Sequence, residues 1–254
     1  MAGHFGHNYV KKYYMGTHLG LLWLPLVPLM DIFLRSLLFG GFLGVPSGGV
    51  PYLLFLVVAS IGWYFFERTT YWGYRALQYN HRYFRSIPVP WLPAVTGTVV
   101  PGLVIVALYS AIALGIAVYY LIAEGHFYLK FGVQNLYALL GLIMLLLYAW
   151  TLALFLAPLV RVVRDARLFI RFPLNLLYII TPVLYTIQAM PAKYRVIATY
   201  NPLTAPIAFM RHGLLGMPLP GTASILTTLI VFVIALPIGL MVFTRAERAS
   251  HVRL

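Results

Sequence analysis

Residues 181–216 read TPVLYTIQAMPAKYRVIATYNPLTAPIAFMRHGLLG, and this stretch decides the fold. Its hydropathy suits a membrane, but its punctuation forbids a single spanning helix. Pro182, Pro191, Pro202 and Pro206 cut it into short pieces, whereas one crossing needs about 20 apolar residues in a row. Lys193, Arg195 and Arg211 would be costly at mid-membrane. The piece 201–215 is apolar but short, which suits a re-entrant or interfacial helix. Asn201-Pro202 is a helix start, with Asn as cap and Pro at the first helical position. Two short helices therefore dip in and out on one side of the bilayer. Such backbone survives at membrane depth only where it packs on protein or lines a wet cavity. The competing reading is an apolar surface loop lying in the headgroups.

Outward from this stretch, the composition agrees. The chain has 254 residues, 62% of them hydrophobic and 9% charged, against about 25% charged in soluble domains. It reads as an all-α, multi-pass membrane protein and a single transmembrane domain over residues 1–254. Eighteen Lys and Arg face five acidic residues. Cysteine is absent, which excludes disulfides, thiol catalysis and Cys-ligated metals. Residues 1–20 interleave Lys11 and Lys12 with Tyr9, Tyr13 and Tyr14, the pattern of an amphipathic helix lying in the headgroup plane. His4 and His7 have no third metal-ligating partner nearby and read as a polar tail. No small-residue cleavage site follows the first apolar run, so that run reads as an uncleaved span.

Six spans are expected, at about 21–43, 51–74, 95–123, 133–160, 172–187 and 222–243. Asp31 and Arg35 lie inside the first, four residues apart on one helical face, where they can pair. Pathway lining and simple mutual neutralisation are both open for them. Residues 74–95 form a basic loop ending in Pro88, Pro90 and Pro93, with one short helix expected over 74–84. The basic residues then sort by side. Lys11, Lys12, Arg75, Arg82, Arg85, Arg161, Arg164, Arg167, Arg171, Arg245, Arg248 and Arg253 share one side, and Lys130, Lys193, Arg195 and Arg211 the other. The positive-inside rule puts both termini in the cytoplasm and residues 188–221 outside. The net charge of +13 is thus a topology signal and calls for no nucleic acid.

The chain has no phosphate loop, no H-E-x-x-H pair and no G-x-S-x-G elbow. One carboxylate at mid-membrane is few for an ion-coupled carrier. No catalytic, cofactor-binding or metal-binding residue is nominated. Tyr109, Tyr148 and Tyr178 fall within spans, where they are candidates to line a pore, with flat faces for sugar rings and hydroxyls for their polar edges. An aromatic belt explains Tyr119, Tyr120 and Tyr137 better than these three.

Several motifs occur in a telling order. Gly16-Thr17-His18-Leu19-Gly20-Leu21-Leu22-Trp23 with Pro25 and Pro28 opens the first span. Residues 80–93, Arg164-Asp165, Thr181-Pro182-Val183-Leu184-Tyr185, Pro191 with Tyr194, Asn201-Pro202-Leu203, Arg211 with Gly216, and the tail Thr244-Arg245-Ala246-Glu247 follow. Together they resemble the ABC-2 type permeases of the polysaccharide exporter family, which serve O-antigen, capsule or teichoic acid export. The usual Phe-Pro-Arg core before Pro90 is not intact, and Asp31 and Arg35 depart from the pattern.

The resemblance implies a homodimeric pore with a separate ABC ATPase subunit that carries the ATP and Mg. It implies an interface helix over 1–20 and ATPase coupling through Arg75, Gln78, Tyr79, Asn80, His81, Arg82, Tyr83 and Arg85. It further implies an external gate over 188–221 with Pro191, Tyr194, Asn201, Pro202 and Arg211, and placement in a bacterial inner membrane. Asp31, Arg35, Tyr109, Tyr148 and Tyr178 are the pore-lining candidates read from the residues themselves. The substrate would be a lipid-linked polysaccharide. Export of a drug or lipid by the same architecture, or a membrane enzyme without an ATPase, are the alternatives.

Overall fold

The computed structural model describes residues 22–80, 84, 90–163 and 165–251. Tyr9, Lys11, Lys12, Tyr13, Tyr14, His81, Arg82, Tyr83, Arg85 and Arg164 lie outside them, and the expected interface helix with them. The described residues form helices and loops with no strand. Five helices among them are long and apolar enough to cross a membrane.

Helix α1 (Trp23–Arg35) runs on as a π-helical segment, Ser36–Phe42. Helix α2 (Tyr52–Tyr79) is the centre of the fold, with an unbroken buried run from Leu54 to Trp63. A helix apolar all round is a helix packed all round, and α2 contacts α4 (Val99–Glu124), α5 (Asn135–Val162) and α8 (Thr204–Leu215). The short helix α3 (Leu92–Thr96) packs beside it. Helix α9 (Thr222–His251) lies against α5 and keeps most of its apolar surface exposed, as α1 does. Exposed Leu, Ile and Val on these two helices suit lipid contact.

Close approach at small residues sets the packing. A Cβ on Gly73 of α2 would stand 2.5 Å from the Ala153 Cβ of α5. A Cβ on Gly141 of α5 would stand 2.5 Å from the Pro206 carbonyl, and one on Gly213 2.5 Å from the Ala138 backbone nitrogen. Helix α8 therefore lies antiparallel along the N-terminal half of α5, backbone against backbone. Gly213→Ala gains helix propensity of up to about 1 kcal/mol but must push backbone apart, at roughly 1–3 kcal/mol. It should lower the unfolding temperature of the purified protein. Gly115→Ala, whose Cβ meets nothing within 4 Å, should raise it slightly. The same sign for both would refute the close-packing argument.

Four expectations are corrected. The fifth expected span, 172–187, is instead helix α6 (Ala166–Ile180), 15 residues or about 22 Å. It stops because Pro182 drives the preceding Thr181 out of the helical region, to φ −72 and ψ 132. Residues 74–79 are not a separate short helix but the last turns of α2. The third span reaches back to Leu92 as one apolar stretch, Leu92–Glu124, with a turn at Gly97 between α3 and α4. The sixth extends through the basic tail to His251.

Candidate functional site

Three arrangements hold the residues singled out by sequence. The first lies among α1, α2, α4 and α6. Arg35 Nε donates to Asp31 Oδ1 at 2.7 Å, one helical turn away. The Tyr64 hydroxyl of α2 donates to the other carboxylate oxygen at 2.5 Å. The Arg35 guanidinium sits 4.6 Å over the Tyr178 ring of α6, a cation–π distance. Tyr109 of α4 stands 5.0 Å from Tyr64, and Trp63 stands 5.1 Å from Tyr178. Asp31, Arg35, Tyr109 and Tyr178 thus meet in one place. Tyr148 does not join them. Its hydroxyl donates to the Thr228 carbonyl of α9 and its ring packs on Phe232.

Sequence reasoning missed Tyr64, the residue that ties α2 to the Asp31–Arg35 pair. It also missed a stripe continuing from it: Tyr64, Glu67, Arg68, Tyr71 and Tyr74 recur every three to four residues on one face of α2. That period was available as a signal. With Arg171, Leu174 and Asn175 of α6 these side chains line a cavity of about 250 Å³.

The second arrangement is the outer hairpin. A 3₁₀ turn at Ile187–Ala189 leads to α7 (Ala192–Thr199), capped by Pro191, and then to α8. Tyr194 is exposed and carries Lys193 at 4.7 Å over its ring. The turn between α7 and α8 is buried at Asn201. The Asn201 carboxamide oxygen accepts from the Leu203 N–H at 3.1 Å, and its nitrogen donates to Thr181 Oγ1 at 2.8 Å. The helix itself begins at Thr204, so Asn201 closes the preceding turn rather than serving as cap. Thr228 of α9 donates to the Pro202 carbonyl at 2.8 Å. Arg211 is 5% exposed. It donates to the carbonyls of Pro182 at 2.6 Å and Val183 at 2.5 Å, and lies 3.6 Å over the Phe55 ring. These are the carbonyls that follow the end of α6, where helix geometry supplies no donor.

The third arrangement is the C-terminal end of α2. Arg75 folds back on the helix and donates to Tyr71 at 2.5 Å and to Tyr79 at 3.4 Å. Asn80 is buried, with its side chain donating to the Ala76 carbonyl, and Gln78 is half-buried beside them. Trp91, at the start of α3, gathers three elements. Its N–H donates to Glu247 of α9 at 2.7 Å, its ring meets Phe243, and Arg161 of α5 lies 4.2 Å above it.

A family model described as ABC-2 type transporter matches residues 8–215. The chain belongs to that family. The match runs through all three arrangements except for the α9 contacts. No curated protein matches the chain. An ABC-2 membrane domain is a transport subunit, generally not a catalytic one, and the family implies an ABC ATPase as partner. The long apolar helices and the ABC-2 match together make this a multi-pass membrane protein.

Proposed function

We propose that this ABC-2 chain is the membrane subunit of an ATP-driven exporter that moves a lipid-linked polysaccharide outward across a bacterial inner membrane. The observation that carries the reading is the convergence of Asp31, Arg35, Tyr64, Tyr109 and Tyr178. Flat rings beside fixed hydrogen-bonding groups suit sugar faces and hydroxyls. Intramembrane charges that pair and face inward are the usual mark of a substrate path.

Two copies of the chain would enclose the path. Helix α6, continued by the turns at 181–186, would make the sixth crossing. The α7–α8 hairpin would be re-entrant, with its buried turn at Asn201 and Pro202 forming the external gate. Its tight seat on α5 supports that placement, because loop backbone at membrane depth must lie on protein. Both termini would then face the cytoplasm. Residues 75–85 would dock in the ATPase, and Trp91 would pass that motion to α5 and α9.

The test is a pull-down of the tagged chain from native membranes in mild detergent, with partner identification, an ATP hydrolysis assay and an assay of surface polysaccharide after gene deletion. A stoichiometric ATPase and loss of surface polysaccharide are expected. An ATPase with unchanged polysaccharide but altered drug sensitivity would select drug or lipid export. No ATPase in several detergents would point to an enzyme. The double substitution Arg82→Ala/Arg85→Ala should cut export at least tenfold, about 1.4 kcal/mol of coupling, with insertion intact. Unchanged export would remove the coupling assignment.

A further inference from the structure

We propose that the cavity between α2 and α6 is a subsite for an anionic sugar unit, a hexuronate or similar carboxylated hexose, of the exported chain. The inference rests on the glycan reading above and narrows it to an acidic polymer.

Size argues first. The cavity is about 250 Å³, below the roughly 300–1,000 Å³ that holds drug-sized ligands, so it suits one ring at a time. Its lining joins three kinds of group. Tyr64 and Tyr71 offer partly exposed rings while Tyr74 is buried, Glu67 and Asn175 offer hydrogen-bonding edges, and Arg171 offers a guanidinium fork, with Arg68 adding a second positive charge. A fork pairs with a carboxylate through two parallel hydrogen bonds. Two guanidiniums against one carboxylate leave the cavity positive. Glu67 would then accept from ring hydroxyls rather than repel the ligand's charge.

Placement argues second. Arg171 and Asn175 are exposed in the single chain. They lie one turn apart on the same face of α6 as Tyr178. A charge turned to lipid is expensive, so this face looks onto water or a polar partner. The cavity continues the α2 stripe away from the Asp31 cluster, and Tyr64 belongs to both. A sugar leaving one would meet the other. A bare diphosphate would use the arginines and leave the Tyr64 and Tyr71 rings without a role.

The experiment uses the full chain in lipid nanodiscs and saturation-transfer NMR. Three probes are compared: a trihexuronate, the same trisaccharide with its carboxyls reduced to alcohols, and inorganic pyrophosphate. The trihexuronate should bind at least tenfold more tightly than its neutral counterpart. Arg171→Gln should reduce acidic binding about tenfold and leave neutral binding alone. Since Arg171 is exposed, the variant should fold, and an unfolding curve checks this. Asn175→Ala, with no charge change, should weaken both sugars. Equal binding of the two trisaccharides, or an unaltered Arg171→Gln, overturns the proposal. So does pyrophosphate that binds more tightly and displaces the trihexuronate. Polysaccharide export by the complex with equal binding of both sugars sinks the subsite alone. Loss of both export and acidic binding sinks the glycan reading with it.

Discussion

Arg211→Ala should release the outer hairpin from the end of α6 and lower the unfolding temperature of the purified protein by several degrees. Two effects add. The carbonyls of Pro182 and Val183 lose their donors, and each orphaned buried group costs about 1–3 kcal/mol. A large buried side chain is also removed from beside Phe55, leaving a cavity that costs about 2–5 kcal/mol. One effect opposes them. The buried cation no longer has to be desolvated, which is worth several kcal/mol per ion in real proteins. Arg211→Met separates the contributions, because it keeps most of the volume and drops the charge. Met should be clearly milder than Ala. With a net loss of about 3 kcal/mol, the Ala variant should unfold roughly 6–12 °C lower, since 1 kcal/mol is about 2–4 °C at this size. If the hairpin is the gate, Arg211→Ala also leaks a small permeant dye in proteoliposomes without ATP. A melting curve within 2 °C of the parent would mean that the Arg211 contacts do not hold the hairpin.

The breaks at Pro182, Pro191 and Pro202 were written in the sequence, and two short helices, α7 and α8, stand there, but Pro206 does not break the chain and sits in the first turn of α8. The Asp31–Arg35 pair was readable because it depends only on helix periodicity. Its third member, Tyr64, lies 33 residues from Asp31, and no local pattern announces such a contact. The role of Arg211 was hidden for a similar reason. Sequence suggested a charge to be kept from mid-membrane, whereas the carbonyls of Pro182 and Val183, 29 and 28 residues away, accept it. The early stop of α6 was missed because hydropathy runs smoothly through Thr181, while the backbone there answers to the following proline. Tyr148 was grouped with Tyr109 and Tyr178 on depth alone. Depth does not set direction, and its hydroxyl went to α9 instead.

The Asp31–Arg35 pair decides between pathway and scaffold. The two single substitutions are not equivalent. Arg35→Ala leaves Asp31 with the Tyr64 hydroxyl still donating to it. Asp31→Ala leaves a guanidinium that cannot deprotonate in a protein, held over the Tyr178 ring without its carboxylate partner. Breaking a buried pair from one side costs about 3–5 kcal/mol, most of it for the stranded charge. Both side chains are only partly exposed, at 29% each in the single chain, and surrounding lipid offers the exposed part little screening. Asp31→Ala should therefore lose most of the folded protein recovered from membranes, and Arg35→Ala considerably less. The double substitution removes both charges and should recover yield relative to Asp31→Ala, with a coupling energy of about 0.5–3 kcal/mol between the sites. Export by the double variant then separates the two roles. Restored folding without restored export means that the charges act on the passing substrate. Restored folding with restored export means that they only neutralise each other, and the path must be sought along the α2 stripe alone.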